Sequence, residues 1–418
     1  MTILIVIFLL GYVAIAFEHS LKINKAAAAL ITGVLCWTVY IVSGNNPEHV
    51  TDELLHHLGE IASILFFLLG AMTIVELIDS HDGFTLITNR ITARRKTKLL
   101  WILSVLTFFL SALLDNLTTA IVMTSLSRKL LEDKEDRLWF IGMIVIAANA
   151  GGAFSPLGDV TTTMLWIGGQ ITAANIIKEL LFPSIAVCLV PLIILSLKFR
   201  GQTFTALLEE KPVGSRREST IILILGVTLL LLVPVFKMVT HLPPFMGISL
   251  GLGILWIAVS VLHLNKPEEE KSNLMVTHAL QKIDSPSILF FLGILLAVSA
   301  MQSFGILTQF ALVLDNAFGN IYIIGTVLGL VSSVIDNVPL VAAAQGMYHY
   351  PTDHHFWEFL ALTTGTGGSA IIIGSAAGVA AMGIENIEFL WYLKKISLLA
   401  IAGFLAGIGI FLLQTLIC

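Results

Sequence analysis

The chain has 418 residues, of which 56% are apolar and only 12% charged, with a mean hydropathy of +0.92. Soluble domains carry about 25% charged residues, so a soluble globular domain is excluded and the composition is that of an all-α polytopic membrane protein. The net charge of −5 gives no basis for nucleic-acid binding, and the three cysteines (Cys36, Cys188, Cys418) lie in apolar runs with no disulfide framework.

A helix rises about 1.5 Å per residue, so about 20 apolar residues cross a ~30 Å hydrocarbon core. Ten runs are expected to cross: 2–17, 25–43, 58–78, 138–168, 176–197, 219–236, 245–263, 285–304, 357–384 and 396–416. The first contains an A-x-A-like site at Ala14 and Ala16, but no positive charge precedes it, so it reads as a span and not a leader. Two further runs do not fit a single crossing. Residues 98–131 are too many for one span and split at Asp115-Asn116 into two arms, each too short to cross. Residues 317–350 split the same way at Asp336-Asn337. Both are expected to be re-entrant helical hairpins with the Asp-Asn pair at the tip.

The basic residues test this layout. With both termini outside and each hairpin returning to the side it came from, 21 of the 23 Lys and Arg fall on the cytoplasmic side. Among them are Lys22, Lys25, Arg90, Arg94, Arg137, Lys211, Lys271, Lys282 and Lys394; only Lys178 and Lys237 fall outside. Turning the first hairpin into one crossing would swap every later loop and destroy the bias.

Three pairs of segments also match in order. "SILFFLLGAM" (63–72) resembles "SILFFLGILL" (287–296), the Asp115 motif resembles the Asp336 motif, and "GGAFSPLGDVTT" from Gly151 aligns with "GGSAIIIGSAAG" from Gly367. The pattern predicts two repeats, 1–200 and 219–418, joined by a cytoplasmic linker at 201–218. Each repeat holds an odd number of crossings, so the second is inserted upside down, the common plan of secondary transporters.

The run 146–166 cannot be an ordinary helix, because Gly151, Gly152 and Gly158 each cost about 1 kcal/mol and Pro156 about 3. In lipid such a break is tolerated only where protein or a cavity satisfies the freed backbone. The break carries Asn149, Ser155, Asp159, Thr161 and Thr162, hard oxygen and amide ligands suited to an alkali cation. A broken helix is expected at 357–384 as well, with Thr366, Ser369 and Ser375. An ionised Asp at mid-bilayer costs at least ~2.5 kcal/mol, and no Lys or Arg lies in the interior of a span, away from its ends, to neutralise Asp115, Asp159 or Asp336. Each is therefore protonated or holds a cation, and a group alternating between the two exchanges a proton for a cation. The principal site is expected between the first hairpin tip and the first break, with Na+ at Asp115, Asn116 and Asp159 and with Thr118 nearby. Asn337, Thr366, Ser369 and Ser375 form a companion site around Asp336. Glu76, Asp79 and Glu385 sit at span ends and read as solvated, as do loop histidines such as His56 and His354.

At this point "GAMTIVELIDSHDGF", "LLDNLTTAIVM", "GGAFSPLGDVTTTMLW" and "SSVIDNVPLVAAA" resemble, in order, the NhaD-type sodium/proton antiporters of the ion transporter superfamily. The likeness covers roughly residues 60 to 400 and is least complete at "IIIGSAAG", where only Ser375 carries a hydroxyl. It implies exchange of cytoplasmic Na+ or Li+ for external H+, in the service of Na+ and pH homeostasis. It also implies a homodimer in a bacterial inner membrane, no cofactor and no enzymatic activity. Carried over residue by residue, it assigns function to Asp115, Asn116, Asn149, Asp159, Thr161, Asp336, Asn337, Ser369 and Ser375. A sodium-coupled anion, dicarboxylate or arsenite-type carrier of the same superfamily is the alternative. Three intramembrane aspartates would repel a carboxylate. An intramembrane aspartyl protease also uses two buried Asp, but the hairpins and duplication have no part in its chemistry.

Overall fold

The computed structural model describes residues 2–16, 18, 23–43, 46–88, 95–203, 216–264, 266, 274–334 and 336–417. Lys22, Arg90, Arg94, Lys211, Lys271, Cys418 and most of the linker 201–218 lie outside the described residues. In chain order the helices are α1 (Thr2–Ala16), α2 (Lys25–Val42), α3 (Pro47–Ser80), α4 (Gly83–Thr88), α5 (Lys96–Leu114), α6 (Asn116–Leu130), α7 (Lys134–Ala153), α8 (Val160–Ile167), α9 (Ala173–Lys198) and α10 (Arg216–Thr240). They continue as α11 (Pro244–Leu262), α12 (Val276–Lys282), α13 (Ser285–Ser303), α14 (Ile306–Phe318), α15 (Ile321–Val331), α16 (Asn337–Met347), α17 (His355–Gly367), α18 (Ala376–Glu385), α19 (Phe389–Lys395) and α20 (Ser397–Ile417). Among the described residues there is no β-strand, and eight helices are long and apolar enough to cross a membrane. Large side chains such as Leu9, Val34, Ile257 and Leu398 face outward, as a lipid-facing surface requires.

Most boundaries follow the apolar runs, and the exceptions have local causes. Helix α3 starts at Pro47 and not at 58, because the Asn46 side chain accepts the Glu48 N–H and Pro47 suits the first turn. The polar segment after it then continues the helix. Helix α5 is longer than the expected arm, at 19 residues, and its partner starts only after Asp115. Helix α14 was not anticipated: Gln309, Asp315 and Asn316 interrupt its apolar run. It meets α15 at 114° and exposes Phe310, Leu312 and Val313, the form of a helix lying in the membrane interface.

Helices α2 and α13 cross where Gly33 and Gly293 remove the side chains, and the Trp37 indole donates to the Leu296 carbonyl at 2.9 Å. Helix α3 packs on α11 and α13, and α10 on α11. A second set holds the interrupted segments: α5 and α6 pack on α7, α15 on α17, α18 on α6, and α9 on α20.

Corresponding contacts recur in the two halves. A side chain on Gly151 would meet the Phe108 carbonyl at 2.1 Å, and one on Gly367 would meet the Gly329 carbonyl at 2.0 Å. The Ser111 hydroxyl donates to the Ala148 carbonyl at 2.6 Å, and the Ser332 hydroxyl to the Thr364 carbonyl at 2.7 Å. Each hairpin arm is thus bonded at one point to the helix before a break. The Asp115 and Asp336 motifs, and the two Gly-Gly breaks, stand in the same relation along the chain.

Charged groups gather at one end of the helices, called here the basic end. Lys96 pairs with Asp136, Lys266 with Glu218 and Lys282 with Glu76. Glu385, expected to be solvated, is instead 6% exposed: Arg137 Nε donates to it at 2.7 Å and Arg128 lies at 3.4 Å. This pair ties the end of α18 to the start of α7. At the opposite end, Asp353 accepts the Thr172 N–H at 2.6 Å and its hydroxyl at 2.9 Å, tying the loop before α17 to the start of α9.

Two outcomes follow. Gly151→Val and Gly367→Val each abolish monodisperse protein on detergent extraction. Gly253→Val and Gly409→Val, where a side chain meets nothing within 4 Å, do not. Glu385→Ala leaves Arg137 without its buried partner and costs about 3 kcal/mol, read as a fall in melting temperature. Arg128→Ala, on a half-exposed side chain, costs less than about 1 kcal/mol by the same measurement.

Candidate functional site

The break between α7 and α8 places Asp159 at the N-cap of α8 in extended conformation, 1% exposed. Its carboxylate is surrounded by donors from three parts of the chain. Oδ1 accepts the Thr161 N–H and hydroxyl, each at 2.8 Å. Oδ2 accepts Asn116 Nδ2 at 2.7 Å, from the first hairpin tip. Asn337 Nδ2, from the second hairpin tip, lies 3.3 Å from both oxygens. These donors and the positive end of α8 offset part of the cost of burying a carboxylate.

Asn149, on the last turns of α7 and fully buried, extends the network. Its Oδ1 accepts Asn116 Nδ2 at 3.1 Å, and its Nδ2 donates to Ser369 Oγ at 2.8 Å and Ser375 Oγ at 2.9 Å. Ser375 occupies at α18 the place Asp159 occupies at α8: each is an extended N-cap residue following a glycine. The Tyr392 hydroxyl donates to the Ser369 carbonyl at 2.9 Å and fixes the strand of chain between α17 and α18. Two hairpin tips and two helix breaks therefore meet at one hydrogen-bonded centre, where two separate sites were expected.

Asp115 and Asp336 stand at the edge of this centre, half-buried. Asp115 caps α6, accepting the Thr118 N–H at 2.7 Å and hydroxyl at 2.8 Å. Its backbone (φ 100°, ψ 156°) lies in a region almost confined to glycine, a strain of about 1–3 kcal/mol. Asp336 caps α16 through the Val338 N–H at 3.1 Å with ordinary dihedrals. Each precedes one of the two asparagines that donate to Asp159.

Four expected ligands are placed differently. Thr118 is taken up by Asp115, and Thr366 donates to the Leu362 carbonyl of its own helix. Ser155 donates to the Ala112 carbonyl at 2.6 Å, and Thr162 to the Ser155 carbonyl at 2.7 Å. The Ser155 bond holds the interrupted backbone against the first hairpin, and the Thr162 bond closes the break on itself. Sequence reasoning missed Tyr392, which no local pattern marks. It also left unexplained Lys237, one of the two basic residues off the basic end.

A cavity of about 650 Å³ lies at the basic end. Its lining includes Glu18, Lys25 and Asp284 and also Leu117 and Ala376, the chain neighbours of Asn116 and Ser375. Among the described residues no group of three or more His, Cys, Asp or Glu is arranged to hold a metal ion. The centre's oxygens come from one carboxylate, amides and hydroxyls, which are hard donors and include no thiolate or imidazole.

A family profile described as "Citrate transporter" matches residues 12–367. Sodium/proton antiporter 2 of Arabidopsis thaliana is 46% identical, over 97% of this chain and 98% of that one. Sodium/proton antiporter 1 of the same plant is 48% identical, over 97% and 71%. The Na+/H+ antiporter NhaD of Alkalimonas amylolytica is 32% identical, over 98% and 89%. The chain belongs to the citrate transporter family of multi-pass membrane carriers, and within it to the NhaD-type sodium/proton antiporters.

Proposed function

We propose that this antiporter exchanges Na+ or Li+ for H+ at the Asp159 centre, and that the two hairpin amides are the switch. The observation that carries the reading is the double donation of Asn116 and Asn337 to one buried carboxylate. A half-turn of either amide replaces the N–H with a carbonyl oxygen, so the same side chains ligate a cation held by Asp159. When Asp159 takes up a proton, the cation loses its counter-charge and leaves. Asn149 holds Asn116 to Ser369 and Ser375, so a change at one hairpin tip is felt at the other break. Asp115 and Asp336 supply further negative charge that draws a cation inward and a proton in its place.

The paired glycine contacts and serine bonds support two inverted repeats, 1–200 and 219–418. The gathered basic residues support a cytoplasmic basic end with both termini outside, which in a bacterium means the inner membrane. The cavity is then the cytoplasmic access route. In this reading the protein works as a homodimer and needs no cofactor beyond the transported ions. A carrier of citrate or another carboxylate fits less well, because the described centre offers carboxylates and no Lys or Arg to an anion.

In everted membrane vesicles, Na+ or Li+ dissipates an imposed proton gradient, whereas citrate or succinate does not. Asp159→Asn abolishes the Na+ response. Citrate uptake without Na+-driven proton movement would replace this reading with the anion carrier. Asn116→Ala and Asn337→Ala each remove a bond worth about 1–1.5 kcal/mol, so the half-saturating Na+ concentration rises about fivefold to tenfold. The hydroxyls separate the same way. Thr161→Val lowers Na+ affinity, while Thr366→Val, whose hydroxyl bonds only its own helix, leaves it near wild type.

A further inference from the structure

Lys237 stands on the last turn of α10, at the end opposite the basic one, and is half-buried. An ammonium at such a position is costly unless it has a fixed partner. Its Nζ donates to the Trp166 carbonyl at 2.6 Å and lies 4.7 Å from the centre of the Trp166 ring. That carbonyl belongs to the last turn of α8, where helical carbonyls lack intrahelical partners and the helix dipole is negative. The Trp166 ring is 2% exposed and meets Phe67 of α3 edge-on at 6.3 Å. The eight-residue helix α8 therefore carries Asp159 at its positive end and Lys237 at its negative end.

We propose that Lys237 is a positioning residue for the exchange. Its ammonium fastens the C-terminal end of Asp159's helix to α10 and so closes the centre on the face away from the cavity. The cycle breaks and remakes this bond.

The argument rests on which contacts join what. The cavity at the basic end is lined by Leu117 and Ala376, each next in sequence to a residue of the centre, and by no residue of the opposite end. An ion that leaves by the other face needs the contacts there to open. One of them joins segments that lead into the centre: Gln345, on the α16 that begins at Asn337, donates at 2.8 Å to Gln170, in the turn that follows α8. That contact can travel with them. The Lys237 bond is different in kind, because α10 packs chiefly on α11, more lightly on α3 and α4 and least on the hairpin arm α5, and carries no residue of the centre. A helix that bears the exchanging carboxylate is held there to one that does not. Any movement of α8 that opens the far face must release it.

The sign of the effect follows. With Lys237 bound, the centre is reached from the basic end, so Na+ arriving on that side binds this arrangement. Removing the bond lowers its population, and the apparent affinity falls in proportion, while the opening step itself is not slowed. An ammonium at a helix C-terminus shifts such an equilibrium by up to about fivefold, so the expected rise in half-saturating Na+ is up to about fivefold.

The test rests on the exchange reading and uses the full chain in everted vesicles, where the basic end faces the added Na+. Lys237→Met raises half-saturating Na+ by that factor, with the maximal rate equal to wild type or higher. Lys237→Gln, which keeps an N–H donor without charge, falls between, and Lys237→Arg restores wild-type behaviour. Three variants indistinguishable from wild type would overturn the proposal. So would a Lys237→Arg as defective as Lys237→Met, or a loss of maximal rate at unchanged half-saturation. A wild-type protein without Na+-driven proton movement would overturn the exchange reading first, and this proposal with it.

Discussion

Lipid offers no partner to a freed backbone amide or carbonyl, and the structure depends on that constraint. A helix interrupted in hydrocarbon is stable only where other protein groups satisfy the interruption. Here four interruptions satisfy one another. The Ser155 and Thr162 hydroxyls bond carbonyls across the first break, Ser111 and Ser332 bond the helices that precede the two breaks, and Asn149 joins one break to the other. The polar centre is thus the means by which broken helices exist in the membrane at all. The exchange proposed for this centre uses groups that the fold already needs to hold.

Close approach of backbones is the other half of that solution. Gly151 and Gly367 let a hairpin arm lie against the helix before each break, at distances no side chain would permit. Gly158 and Gly374 do the same at the turn itself, against the Ser111 and Ser333 carbonyls. In membranes small residues bring helices together because apolar side chains gain little from leaving lipid for protein. The glycines around the breaks therefore place Asn116 and Asn337 within reach of Asp159. Loss of one would move the donors before it touched the carboxylate.

Much of this was legible in the chain. The Asp-Asn pairs marked both hairpin tips, because a charge in an overlong apolar run has no lipid-facing solution. Gly-Gly and Pro marked the first break, and the basic residues marked one end. What was not legible is which hydroxyls face the carboxylate. Thr161 and Thr162 are adjacent, yet one binds the Asp159 side chain and the other a carbonyl, a difference set by the cap geometry of α8. Nor could local pattern show that Asn337 reaches an aspartate 178 residues away, which merges two expected sites into one. Glu385 looked like a solvated span end because its arginines lie more than 240 residues back along the chain.

The difference between the halves bears on how one centre can exchange ions. Asp159 and Ser375 occupy equivalent caps, and the amide of Asn149 reaches the second of them directly. A carboxylate at both caps would place two negative charges around one buried asparagine, with Asp115 and Asp336 already at the edge. Two such acids cannot both ionise in a dry site without a partner, and their titrations would merge. A hydroxyl at the second cap keeps the hydrogen-bonded geometry and removes that repulsion. The centre is then symmetric in backbone and asymmetric in charge, with one acid at its two caps. The strained backbone of Asp115, beside the relaxed one of Asp336, carries the same asymmetry out to the hairpin tips.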